Sequence, residues 1–268
     1  MSMIDRRSFL TAGLAVAVIG AHGPAAAAPK SRLISGPWQQ FGAGGDPDHS
    51  ALGAFLNSYR VVGSDGVARL KYGQAVQDGA RLDGYLAALQ SVDPTSLARP
   101  AAMAYWFNLY NALTIDLVLQ EFPVDSIKKV RGGLFNTGPW TDKLVTVAGQ
   151  ELSLDDIEHG ILRPVWQDAR IHYAVNCAAV GCPDLDAKPF LAGDLEQRLD
   201  ASARRFAEHP RGARATSDGA VLSSIFDWFA EDFGPNEDAV LAHVNEYRGA
   251  AIPGPVDDYR YDWGLNAA

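Results

Sequence analysis

Between Glu158 and Cys182 the sequence gathers the residue types that polar catalysis uses: the carboxylate Glu158, the imidazoles His159 and His172, the guanidinium groups Arg163 and Arg170, and the thiols Cys177 and Cys182. A cysteine nucleophile needs a base that turns thiol into thiolate and a polar group that orients the base. His172 or His159 could be that base, and Glu158, Asn108 or Asn111 the orienter. The only two cysteines of the chain could instead close a small Cys177–Cys182 disulfide or sit as inert buried thiols. A bridge needs Cα atoms within about 7 Å and would contribute only about 2 kcal/mol for so short a loop. Metal ligation fits poorly, because Cys-x-x-x-x-Cys with one upstream His lacks a convincing fourth ligand. No cofactor is expected.

Elements that could position these groups follow from hydrophobic spacing. Leu52, Phe55, Leu56 and Tyr59 predict one helix, and Leu82, Tyr85, Leu86 and Leu89 a second, with a turn at Gly63 to Gly66 between them. Residues 101–122 are aromatic and apolar on most sides and stop at Pro123, as a buried central helix would. Asn108 and Asn111 share one face of it, where buried amides must either clamp a neighbouring loop or line a pocket. Gly132, Gly133, Gly138 and Pro139 predict a loop, and Leu144 to Leu152 a hairpin turning at Gly149. Ser153 with Asp156 is a capping pattern for a short helix that ends at Pro164 and carries His159 and Arg163 on one face. Alternation from Arg170 to Ala178 predicts a strand against that hairpin, so that His172 and Cys177 meet only if Cys177 has turned into the following loop. Helices at 192–207, 224–233 and 237–247 and a strand at 220–222 complete an α+β chain, a mostly helical single domain around a small antiparallel sheet.

Composition narrows the partners. The 268 residues are 47% hydrophobic and 21% charged, with a formal net charge of −9, an ordinary globular profile with no basic surplus for nucleic acid or anionic membranes. Arg6-Arg7 ahead of a short apolar run and the alanines at 25–28 have the order of a twin-arginine export signal. Residues 1–28 are therefore expected to be a removed signal peptide, and 29–268 a periplasmic domain without an integral membrane segment. There is no Gly-x-Ser-x-Gly elbow, phosphate-binding loop or dinucleotide fingerprint.

Three phrases carry a resemblance: Tyr105-Trp106-Phe107-Asn108-Leu109-Tyr110-Asn111-Ala112, the run from Leu152 through Asp155, Glu158 and His159 to Arg163, and Arg170-Ile171-His172-Tyr173-Ala174-Val175-Asn176-Cys177 with Gly181-Cys182-Pro183 after it. In this order they resemble the domain-of-unknown-function family numbered 547, and the ending Tyr261-Asp262-Trp263-Gly264-Leu265-Asn266 resembles its bacterial members. The resemblance implies a shared fold and no established reaction. A polar helix followed by a strand histidine also resembles papain and transglutaminase folds, except that asparagine stands where those families carry cysteine. Two functions follow as expectations. One is a thiol-dependent hydrolase or acyl transferase acting on a peptide or amide through Cys177, His172, His159 and Glu158. The other is a non-catalytic periplasmic protein that binds a small anionic ligand through Arg163 and Arg170, with Asn108 and Asn111 in its pocket.

Overall fold

The computed structural model describes residues 29–131 and 138–268. The expected signal peptide and part of the glycine loop lie outside the described residues. The chain is α+β, and its organising element is α4, numbered with the other elements in chain order: α1 (Ser50–Tyr59), β1 (Arg60–Val62), β2 (Ala68–Leu70), α2 (Tyr72–Gln77), α3 (Asp83–Gln90) and α4 (Arg99–Glu121). Every residue of α4 from Ala101 to Leu119 is buried, as a helix without a polar face must be. Pro100 sits in its first turn, where its missing N–H costs nothing, and the helix ends one residue before Phe122-Pro123.

Beyond α4, β3 (Val145–Val147) and β4 (Gln150–Leu152) form the expected hairpin, with Ala148 and Gly149 both at positive φ in the tight turn. Ser153 and Asp156 form a capping box that opens α5 (Leu154–Ile157). The helix does not stop at Pro164. It widens into a π-turn (Glu158–Leu162) and resumes as α6 (Arg163–Trp166), with Pro164 in the first turn of α6. The expected strand from Arg170 to Ala178 is a 3-10 helix (Ala169–Tyr173) followed by irregular turns. Its alternation has another cause: Ile171 and Val175 pack into the core around α4, whereas Tyr173 packs into a second core. That second core is built by α7 (Leu195–Glu208), β5 (Ala213–Ala215), β6 (Ala220–Ser223), α8 (Ile225–Trp228), α9 (Ala230–Phe233) and α10 (Glu237–Glu246). The 3-10 helix is thus the seam between two apolar clusters, and His172 sits in the seam.

Instead of one small antiparallel sheet, three separate sheets are present among the described residues. They are the β1–β2 and β3–β4 hairpins and a mixed sheet in which β6 pairs antiparallel with β5 and parallel with β7 (Val256–Arg260). The tail beyond β7 returns across the cysteine loop to the first hairpin: Val180 and Gly181 donate to the carbonyls of Gly264 and Asp262, and Leu70 donates to that of Asn266. A Cβ on Gly181 would lie 2.7 Å from the Asp262 nitrogen, so this crossing requires glycine.

The two asparagines of α4 clamp loops. Asn111 donates to the Ala174 carbonyl at 3.0 Å and accepts from the Asn176 N–H at 2.8 Å, while Asn108 makes the same paired contact with the backbone of Phe190, both at 2.8 Å. Asn111 faces the segment that follows His172, as a buried amide in need of partners should. Asn108 faces the loop before α7 instead. Replacing Asn111 by Leu strands a buried N–H and a buried C=O, so a loss of about 1–3 kcal/mol is expected in urea unfolding. A loss below about 0.5 kcal/mol would show that the clamp is dispensable.

Candidate functional site

Two polar centres flank the seam. The first is the thiol pair. Asn176 fixes the turn before it, donating to the Pro183 carbonyl at 2.7 Å and accepting from the Ala178 N–H at 3.0 Å. Ala178, at φ 60°, reverses the chain so that Cys182 comes back under Cys177. Both cysteines are free, with sulfurs 3.2 Å apart, where a disulfide would need about 2.05 Å. The Cys177 N–H donates to Cys182 Sγ at 3.1 Å, and the Tyr261 hydroxyl lies 3.1 Å from Cys177 Sγ.

The environments of the two thiols differ. The hydrogen bond from Cys182 pulls the Cys177 thiol below its ordinary range against the effect of burial, with help from Tyr261 and the backbone at Ala179. Burial, with the Cys177 charge nearby, pushes Cys182 well above its ordinary range. Cys177 is partly exposed and Cys182 is buried. Tyr261 packs against both Trp228 and Trp263, at ring separations of 4.8 and 4.7 Å, the two indoles stack on each other at 5.4 Å, and Lys128 Nζ sits 3.8 Å from the centre of the Trp263 ring. These three half-buried rings stand beside the thiol that is partly exposed.

The second centre is an ion network built from the π-turn. His172 Nε2 is 2.6 Å from Asp232 Oδ2 and its Nδ1 is 3.5 Å from Glu158 Oε1, while the ring stacks on Phe229 at 4.4 Å. Arg163, whose side chain is 1% exposed, bonds Asp232 at 2.5 Å and Glu231 at 2.8 Å, and donates to the Pro29 carbonyl. Its Nη1 also lies 3.1 Å from His159 Nδ1. Burial alone would raise Glu158 and Asp232, but the cationic partners prevail and hold both at about 2. Burial pushes His172 down, yet the hydrogen bonds and charges of Asp232 and Glu158 outweigh it and raise the ring above its ordinary value. Burial takes His159 the other way, to about 4, with Arg163 adding to the effect. The network therefore favours the charged form of His172 and the neutral form of His159, with Arg163 set between the carboxylates.

A short backbone segment lies over this network, and the sequence of the π-turn explains why. In the π-turn the Arg163 N–H bonds the Glu158 carbonyl, and Pro164 has no N–H to offer the carbonyls of His159 and Gly160. The N–H groups of Arg32 and Ile34 fill those places at 3.0 and 3.1 Å, and the Ser31 N–H bonds Glu231. A Cβ on Gly160 would come within 2.8 Å of Ile34, so glycine lets this segment lie flat.

The predicted site residues therefore fall into two groups. Glu158, His159, Arg163 and His172 converge. Cys177 does not join them through a hydrogen bond: its sulfur contacts Cys182 and Tyr261, and neither histidine is its partner. Glu158 is near enough only for its charge to oppose the thiolate. Arg170 lies outside both centres, held by Asp168, Glu196 and Asp200. Asn108 and Asn111 use both ends of their amides on backbone. Tyr261, Asp232, Glu231 and Phe229 belong to the centres but were not singled out. The first lies in the C-terminal phrase; the others lie in the predicted helix at 224–233. Among the described residues, no group of three His, Cys, Asp or Glu side chains could hold a metal ion, and no helix is long and apolar enough to cross a membrane.

Residues 94–207, from the turn before α4 through most of α7, match the family described as "Protein of unknown function, DUF547". The matched segment contains Cys177, Cys182, His172 and the whole π-turn, and it is over this segment that the chain is similar to that family. Comparison with curated proteins and with solved structures gives no match.

Proposed function

We propose that the chain is an exported, periplasmic thiol-dependent enzyme, a hydrolase or acyl transferase acting on a peptide or amide with Cys177 as nucleophile. The carrying observation is the asymmetry of the thiol pair. Cys177 is the partly exposed member and is stabilised as thiolate, while Cys182 is buried and kept protonated as its donor. Activation here comes from a thiol and a phenol in place of a histidine. The thiolate attacks the substrate carbonyl carbon, a C–S bond replaces the C–N bond, and the amine leaves with a proton from water. Water or a second amine then cleaves the thioester. The half-buried rings of Trp228, Tyr261 and Trp263 support a peptide-like substrate, because they offer aromatic surface beside the reacting sulfur. Arg163 and Arg170 already have carboxylate partners, which favours this reading over anion binding.

Reduced protein treated with p-nitrophenyl acetate should gain one acetyl group on the peptide bearing Cys177, and Cys177→Ala should gain none there. Acetylation confined to other residues would contradict the nucleophile. For export, replacing Arg6 and Arg7 by Lys should leave unprocessed precursor in the cytoplasm. Normal processing of that variant would contradict the twin-arginine route.

A further inference from the structure

A cavity of about 250 Å³ opens beside α4, lined by residues of α3 and α4 together with Arg131, Lys143 and Leu144, and shares no lining residue with the thiol pair or the ion network. Its apolar wall includes Leu113 and Leu117, and its polar lining includes Asp83, Asp116, Gln120, Arg131 and Lys143; the two cations have carboxylate partners elsewhere, Arg131 near Asp142 and Lys143 on Asp156. Asp116 is unusual among these. It is 7% exposed, its Oδ2 accepts from Gln120 Nε2 at 2.5 Å, and its Oδ1 is buried and accepts no hydrogen bond. The far end of the Gln120 amide accepts from Arg131 Nη2 at 3.3 Å, so among the described residues the one donor to this carboxylate is neutral. Asp83, exposed in the first turn of α3, lines the same cavity and adds its charge to that of Asp116. Burial and this second carboxylate raise the Asp116 pKa against the smaller opposing effects of the Gln120 hydrogen bond and the Arg81 and Arg131 charges.

A buried carboxylate oxygen without a donor, with a second carboxylate near it, is an arrangement that protein groups leave incomplete. A ligand that completes it must bring N–H donors and positive charge. A compact primary ammonium supplies three donors and one charge, and the leucine wall takes an apolar stem. The volume is below the range usual for drug-sized ligands, which limits the guest to a few heavy atoms beyond the nitrogen. A metal ion does not suit the same place, since no three ligating side chains converge among the described residues. We infer that this cavity binds a small organic ammonium compound with an apolar stem, its nitrogen donating to Asp116 and facing Asp83. This inference is independent of the thiol chemistry.

Calorimetric titration of the purified protein with isoamylammonium tests it, with isoamyl alcohol and 4-methylpentanoate as uncharged and anionic probes of the same stem. Saturable binding of the ammonium probe is expected, at least tenfold tighter than either of the others. Asp116→Asn should weaken it at least tenfold. Asp83→Asn, an exposed change that leaves the core untouched, should weaken it several-fold, and it carries the test if Asp116→Asn fails to fold. Absence of saturable binding, equal binding of the alcohol, or unchanged affinity in Asp83→Asn would each overturn the proposal.

Discussion

Replacing Arg163 by Met is expected to destabilise the protein by about 3–5 kcal/mol, the range for removing one partner from a buried ionic cluster. The guanidinium is the hub of its network. It bonds Asp232 and Glu231, donates to the Pro29 carbonyl, touches His159 Nδ1 and lies 5.0 Å from the centre of the Phe229 ring. Met fills much of the volume but leaves Asp232 with His172 as its only cation and frees Glu231 from its short bond. Arg163→Lys keeps the charge without the fork that reaches two carboxylates at once, so it should recover part of the loss and no more. Urea unfolding of the three proteins at pH 7 measures this order. A Met variant within about 0.5 kcal/mol of the parent would show that the network contributes nothing measurable to the fold. Loosening of residues 29–34 should accompany the loss, because Arg163 holds the Pro29 carbonyl. Faster proteolysis near the N-terminus of the Met variant would report it.

The second large effect is expected at Cys182. Its thiol is the first cause of the low Cys177 pKa, and its sulfur accepts the Cys177 N–H. Cys182→Ala removes both contacts, so the Cys177 thiol should titrate higher. Each unit of that rise cuts the thiolate fraction, and with it alkylation near neutral pH, about tenfold. Cys182→Ser retains a hydroxyl donor and should fall between alanine and the parent. The same variants separate a resolving thiol from a merely packed one. With oxidised glutathione, the parent should first form a mixed disulfide at Cys177. Attack by Cys182 then expels glutathione as a thiol and leaves an internal bridge. The alanine variant should stop at the mixed disulfide, visible as one added glutathione by mass. An alanine variant with unchanged alkylation and no trapped adduct would remove Cys182 from the chemistry.

Much of the fold was legible because local signals agreed with each other. The all-round apolar run before Pro123 is α4, the Ser153/Asp156 pair is a capping box, and Gly149 turns the β3–β4 hairpin. Two misreadings share a physical cause, which is tertiary context overriding a local pattern. Pro164 reads as a helix stop, yet the π-turn places it where a first-turn proline is tolerated, and the carbonyls it leaves open are filled by residues more than a hundred positions away. The alternation at Ile171, Tyr173 and Val175 reads as a strand, yet it arises because the segment is buried on two sides by different cores. With the strand went the pairing of His172 with Cys177, since the geometry that would bring them together depended on where the strand ended. His159 and Arg163 were readable as a pair because their four-residue spacing sets them on one helix face. Asp232 and Tyr261 were not, because they reach the centres through long-range packing that no short-range pattern encodes.

The central claim is that Cys177, activated by Cys182 and Tyr261 without a histidine, is the reactive thiol. It is tested most directly by the pH dependence of iodoacetamide alkylation in fully reduced protein, with each cysteine followed separately by peptide mass. The account predicts that Cys177 reacts first, with an inflection below the pH of about 8.5 expected of a free cysteine, and that Cys182 stays unmodified until the protein unfolds. The inflection should be unchanged in His172→Gln, since that ring contacts Asp232 and not the sulfur. An inflection at or above about 8.5, faster modification of Cys182, or loss of the low inflection in His172→Gln would contradict it.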